Sequence, residues 1–231
     1  AFKARGADNA VLGLPDAEAA RGVATHSSGN HGAALAMAAA RRGIPAWIVM
    51  PENAPAVKRA AVAGYGATIV DCAPTLAARE ETLADVIDAR GAHVVHPYDD
   101  ERVIAGQGTV ALELLRSVPD LDAVAAPVGG GGLLAGIAVA AKALKPSIEV
   151  IGVEPAGADD AFRSFGLGEL QPQRNPQTIA DGLRTGLGVR NFALIQRFVD
   201  TIVTVSEEAI VEAMRLQWTR MKTVVEPSGA V

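Results

Sequence analysis

The sequence predicts an α/β fold of parallel strands covered by helices on both faces. Three observations carry that reading. Short apolar runs alternate with longer alanine-rich stretches along most of the chain. The runs are uniformly apolar and β-branched, as strands are when neither face meets water. Strand–helix alternation of this kind implies parallel sheets joined by right-handed crossovers.

The elements follow in order. GVATH (22–26) is a strand, and the stretch from Gly29 to Gly43 is a helix stopped by that glycine. AWIVM (46–50) is a strand and 55–66 a helix. ATIVDC (67–72) is a strand and 74–91 a helix. HVVH (93–96) is a strand, followed by a polar stretch, HPYDDERV, that reads as a loop. GTVALELLRSV (108–118) is a helix and LDAVAAPV (121–128) a strand. Residues 129–144 are a glycine loop and helix, and IEVIGVEP (148–155) is a strand. TIVTVS (201–206) is the last strand. The last helix runs from about Glu207 to Lys222, capped by Ser206, with Ile210, Met214, Trp218 and Met221 on one face as core. Breaks near 21 and 100 predict two domains: a small one, 22–99, and a large, incomplete one made of 1–21 plus 100–231.

Composition narrows the function. The chain has 231 residues, 49% hydrophobic, enough for a sizeable core. The net charge of −5, without a Lys/Arg cluster, excludes a nucleic-acid surface. No apolar run is long enough for a membrane span. Cys72 is the one cysteine, so no internal disulfide forms, and a reducing, cytoplasmic compartment is expected. The abrupt start at AFKARG and end at EPSGAV are expected of a fragment. On its own, Lys3 reads as a solvated chain end.

Three loops carry chemistry. Residues 25–34, THSSGNHGAA, join a strand to a helix start, where open amides and the helix dipole favour an anion. Ser27, Ser28, Asn30 and His31 either cap the helix or cradle a carboxylate or phosphate, with Ser28 or His31 free for proton transfer. Gly129, Gly130, Gly131 and Gly132 follow a strand and open a helix. Four glycines in a row are costly unless the main chain must approach a ligand closely, so they indicate a phosphate nest. Gly130, Gly132 and Ala135 also fit a G-x-G-x-x-A dinucleotide fingerprint with Glu154 as acidic partner, which leaves an NAD-type oxidoreductase as an alternative. In VEPAGADD (153–160), Glu154 and Asp160 flank a turn rich in carbonyls. That is either a solvated acidic loop or a site for a hard cation. The four histidines form no zinc set.

In order, FKARGA, SSGNHG, GGGG after a strand, EPxxADD, TIADGL and EPSGA resemble the fold-type II pyridoxal-phosphate enzymes, and within them the serine racemase and serine/threonine dehydratase group. The resemblance runs from residue 2 to residue 231. It implies a tryptophan synthase β-like, three-layer αβα fold with two open, mostly parallel sheets. It implies pyridoxal 5'-phosphate joined to Lys3 as a Schiff base, with Phe2 against the ring, Asn30 on the phenolic oxygen and Gly129–Gly132 on the phosphate. The Ser27–His31 loop would hold the substrate carboxylate, Ser28 would act as second acid/base, and Arg79 would face the substrate. Glu154, the Ala158 carbonyl and Asp160 would bind a divalent cation, Mg²⁺ or Ca²⁺. Members are commonly homodimers acting on small amino acids.

The implied reaction is removal of the α-proton by Lys3, loss of a β-hydroxyl, and hydrolysis to a 2-oxo acid and ammonia. Return of a proton from Ser28 to the opposite face would give racemisation instead. The chain departs from the pattern in places. It ends before the family's pyridine-nitrogen partner. Thr185 and Gly186 stand where mammalian-type racemases have two serines, which favours dehydration. Tyr98 stands where they have asparagine. A non-catalytic cofactor-binding domain is the third class of function.

Overall fold

A computed structural model of the chain describes residues 2–27 and 29–231. Compactness divides it into a unit ending at Gln107 and a unit starting at Gly108.

The first unit opens with two helices, α1 (Lys3–Leu12) and the short α2 (Asp16–Ala19). Then β1 (Val23–His26), α3 (Asn30–Arg42), β2 (Ala46–Pro51), α4 (Ala56–Gly64), β3 (Thr68–Cys72), α5 (Leu76–Arg90) and β4 (His93–Val94) alternate as expected. The strands form one parallel sheet in the order β3-β2-β1-β4. Successive side chains on a strand point to opposite faces. Val23, Ile48 and Met50 therefore enter a core shared with α1 and α3, through Ala7, Val11, Leu35 and Ala38. Ala24 and Val49 enter a second core with Leu83 and Val86 of α5. Helices thus cover both faces, as the uniformly apolar strands require. The first helix is seated on α3 beside this sheet. The division of 22–99 against the rest remains a proposal.

Helix α6 (Glu101–Ser117) contains the boundary between the units. It starts seven residues before the expected Gly108. Asp100 is the reason, because its Oδ1 accepts the amides of Arg102 (2.8 Å) and Val103 (3.2 Å). The polar stretch read as a loop is therefore a helix cap. Gly106, which looks like a breaker, is a packing residue. A Cβ there would lie 2.6 Å from the Arg5 carbonyl oxygen.

The second unit holds β5 (Ala123–Pro127), α7 (Gly132–Leu144), β6 (Glu149–Pro155), α8 (Asp160–Leu167), α9 (Val189–Phe198), β7 (Thr201–Val205) and α10 (Glu207–Leu216). Its parallel sheet has the order β5-β6-β7, and α7 packs on α9. The stripe expected on the last helix is corrected. Ile210 is fully buried, but Trp218 is 70% exposed and Met221 69%. The α-helix ends at Leu216 and continues as a π-turn, Gln217–Met221, closed by Lys222 at φ 57°. The wider i→i+5 turn carries those side chains off the buried face. Nothing among the described residues covers them.

Candidate active site

Helix α1 begins at Lys3 itself, so its side chain leaves the first turn. Lys3 Nζ donates to the Pro97 carbonyl at 2.7 Å. It lies 5.3 Å from the centroid of the Phe2 ring and 6.0 Å from that of Tyr98. Burial lowers its pKa from 10.5 to about 8. Its neighbours are aromatic faces and a carbonyl, which accept its hydrogens without an opposing charge to hold the proton.

Residues 95–99 act as a hub. The Val95 carbonyl accepts from His31 Nε2 at 3.1 Å, and the Pro97 carbonyl accepts from Lys3. A carbonyl cannot donate, so His31 carries its proton on Nε2. Burial, with the Lys3 charge second, lowers its pKa to about 3, so the ring is neutral at working pH. Its Nδ1 is buried without a partner. His96 Nδ1 accepts the amides of Tyr98 (3.3 Å) and Asp99 (2.9 Å) and stands edge-on to Tyr98 and to His26. Burial also lowers the pKa of His96 and of His26, the latter with help from the Arg79 charge.

The loop after β1 is built as the sequence suggests. Ser27 Oγ accepts the amides of Gly29 (3.3 Å) and Gly32 (3.1 Å), folding the chain into the start of α3. Asn30 is the first residue of that helix and is exposed. Ser28 lies outside the described residues. Arg79 stands in the first turn of α5, its Nε buried without a partner. Phe2, Lys3, Ser27, Asn30, His31 and Arg79 all belong to the first unit. The electrostatic couplings run from Lys3 through His31 to His96 and His26, and from His26 to Arg79.

In the second unit the glycine run is buried and connects β5 to α7. Gly131 has φ 87°, and a Cβ there would come within 3.1 Å of Leu187, Asn191 and Ile195 side chains. Gly129 faces the backbone of Leu183 at 3.0 Å in the same sense. The Gly130 carbonyl accepts from Asn191 Nδ2 (2.7 Å) and from the Gly188 amide (3.1 Å). With that carbonyl tied back, the first amides of α7 are left for an anion.

Glu154 is wholly buried in β6, and its two oxygens accept the amides of Ala161 (3.2 Å) and Phe162 (2.8 Å) at the start of α8. That engagement ties the acidic residue of the dinucleotide fingerprint into the start of α8. Asp160 is also buried. It accepts from the Leu187 amide (2.8 Å) and from Gln173 Nε2 (2.6 Å). Burial raises Glu154 from 4.5 to about 8 and Asp160 from 3.8 to about 6. The Ala158 amide turns back to the Pro155 carbonyl at 2.8 Å. Among the described residues no three His, Cys, Asp or Glu side chains gather around one point for a metal.

Sequence reasoning missed Pro97, His96 and Asn191. Each acts at a distance of more than 60 residues from its partner or on the backbone, and neither leaves a local pattern. Among the described residues no helix is long and apolar enough to cross a membrane.

The description "Pyridoxal-phosphate dependent enzyme" fits residues 1–231. The chain is 50% identical to the β-hydroxyaspartate dehydratase of Paracoccus denitrificans over 231 residues, all of this chain and 73% of that protein. It is 48% identical to the serine racemase of Dictyostelium discoideum, over 99% of this chain and 71% of that protein. Its fold matches the structure of maize serine racemase with a TM-score of 0.99 at 46% identity, over 100% of this chain and 70% of that one. The chain therefore belongs to the pyridoxal-phosphate dependent enzymes of fold type II.

Proposed function

We propose that the chain dehydrates a small β-hydroxy amino acid to a 2-oxo acid and ammonia, with pyridoxal 5'-phosphate bound at Lys3. The observation that carries this reading is Lys3, desolvated to a pKa of about 8 and oriented by the Pro97 carbonyl. An amine that is partly neutral near pH 7 can attack an aldehyde and later act as a base. The residues present fit the cofactor. Gly131 leaves a cradle that a Cβ would fill, and the α7 amides suit a phosphate. Phe2 would lie against the cofactor ring, Asn30 would bond its phenolic oxygen, and Gly129–Gly132 would hold its phosphate. When bound, pyridoxal phosphate supplies a sink for the electron pair left on the substrate α-carbon.

The protein's own groups do the rest. The Ser27–His31 loop, with Ser27, Ser28 and Asn30, holds the substrate carboxylate, His31 through its backbone amide because its Nε2–H is already given to Val95. Lys3 Nζ takes the α-proton. The β-hydroxyl departs as water with the proton that Lys3 took, and the released enamine shifts a proton to carbon to become an imine, which water hydrolyses to the 2-oxo acid and ammonia. His31 stays a neutral donor at Nε2 and moves no proton. Racemisation is the second reading, favoured by the relatives that are racemases. It shares the first proton transfer and needs Ser28 Oγ to return a proton to the opposite face.

Arg79 bears on the substrate. A guanidinium with a buried, unpartnered Nε beside His26 gains little from a methyl or hydroxymethyl group, but a second carboxylate would pair with it. This supports a β-hydroxy dicarboxylic amino acid, the class on which the Paracoccus denitrificans relative is named to act. A divalent cation, Mg²⁺ or Ca²⁺, is part of the same reading. Glu154, Asp160 and the Ala158 carbonyl supply hard oxygen donors, while the nearby Arg163 pairs with Asp159 instead. A homodimer rests on the resemblance alone, and a cytoplasmic location on the single cysteine.

The test is to supply the cofactor-loaded protein with L-serine, L-threonine and 3-hydroxyaspartate and to measure 2-oxo acid and D-isomer together. Oxo acid forming faster than D-isomer is expected, and the reverse order would replace dehydration by racemisation. In Arg79→Gln, turnover of 3-hydroxyaspartate should fall about tenfold or more while that of serine holds.

A further inference from the structure

Gln107, the last residue of the first unit, is wholly buried, and neither its Nε2 nor its Oε1 has a partner among the described residues. A side-chain amide offers two donor hydrogens and an acceptor oxygen. Burying all of them bare is costly, and methionine would fill nearly the same volume without that cost. The buried amide therefore calls for a polar group beyond the described residues.

Its surroundings say where that group stands. Gly106 of α6 lets the backbones of α1 and α6 meet, since a Cβ there would lie 2.6 Å from Gly6 Cα. Gly6 in turn makes room for Gln107. A Cβ on Gly6 would strike Gln107 Nε2 and lie 2.9 Å from Val103 Cγ1. Helical Cβ atoms lean toward the N-terminus. The space next to Gly6 that Gln107 fills is therefore on the side of the preceding turn, which begins at Lys3. Lys3 and Gly6 are three residues apart and share a face of α1.

The amide pairs a donor with an acceptor in one plane. That suits a water molecule, which needs both and is held best by two to four polar partners. We infer that Gln107 is a positioning residue for Lys3, acting through a buried water that its amide holds against the first turn of α1. The inference rests on Lys3 being the cofactor lysine. The titratable groups facing Lys3 are His31 on α3 and His96 and Tyr98 beyond β4, with Asp99 and Asp100 coupled to His96. A carboxylate placed at 107 would add a new charge to that set.

The test measures cofactor capture by the absorbance of bound pyridoxal phosphate, across pH, in the wild-type protein, Lys3→Ala, Gln107→Met and Gln107→Glu. Melting curves are recorded alongside. Gln107→Met is expected to weaken cofactor binding about tenfold or more, and Gln107→Glu to move the midpoint of capture to higher pH. An unchanged midpoint in Gln107→Glu overturns the inference, even if Gln107→Met binds the cofactor weakly or melts early, because a packing role alone would do that. Gln107→Met with unchanged affinity overturns it as well. Failure of the underlying reading is seen separately, as capture that persists in Lys3→Ala.

Discussion

At Lys3 the dominant effect is desolvation, and the sign of its pH dependence follows. The folded-state pKa, about 8, lies below the ordinary 10.5. Between those values the unfolded chain holds a proton that the folded chain has lost. Stability from this group therefore rises with pH across that window and is absent below it. The neutral amine is the reactive form, so the rate of cofactor capture should climb through about pH 8 and level off above it. Rapid-mixing absorbance on both sides of pH 8 checks this, and a rate still climbing toward pH 10.5 would show an ordinary lysine. His31 behaves differently because its ring already donates to Val95 and is buried. It stays neutral and holds the start of α3 against the hub that also orients Lys3.

The loop between β5 and α7 shows the same logic at the level of an element. Gly131 combines φ 87° with side chains of Leu187, Asn191 and Ile195 where a Cβ would be. Gly131→Ala should destabilise the protein by about 1–3 kcal/mol, measured by denaturant unfolding, and should weaken phosphate binding with it. Retained stability and unchanged cofactor affinity would show that the nest tolerates a side chain. This element was legible in the sequence because a run of glycines costs backbone entropy that packing alone does not return. The sheets were legible too, since strands buried on both faces leave no polar alternation. The start of α6 was not, because Gly106 and Gly108 mimic a break while the cap, Asp100, sits in a stretch that reads as loop. The tail of α10 misled for a related reason. Its helical spacing predicts a buried stripe, but the change to a π-turn is set by backbone geometry that spacing does not record. Pro97 was invisible because it acts through a carbonyl, which every residue has.

Over the whole molecule, the proposed reading assigns a different part to each unit: Lys3 and the Ser27–His31 loop in residues 1–107, the glycine run and the buried acids Glu154 and Asp160 in 108–231. Their titrations pull stability in opposite directions. His31, lowered from 6.5 to about 3, contributes stability that is lost as pH falls through that window, because the unfolded ring gains a proton first. Glu154 and Asp160, raised to about 8 and about 6, are protonated more readily in the folded chain. Their contribution is lost as pH rises from about 4 to about 8, and a bound cation would restore it. Added Mg²⁺ or Ca²⁺ should therefore raise the melting temperature more at pH 8 than at pH 5, and equal or absent shifts would count against a cation at this pair. The claim on which everything else depends is that Lys3 carries the cofactor. Borohydride reduction of the loaded protein, followed by peptide mapping, tests it directly. The expected result is a pyridoxyl group on Lys3 and neither label nor turnover in Lys3→Ala. A label on another lysine such as Lys58, or turnover that survives in Lys3→Ala, would contradict it.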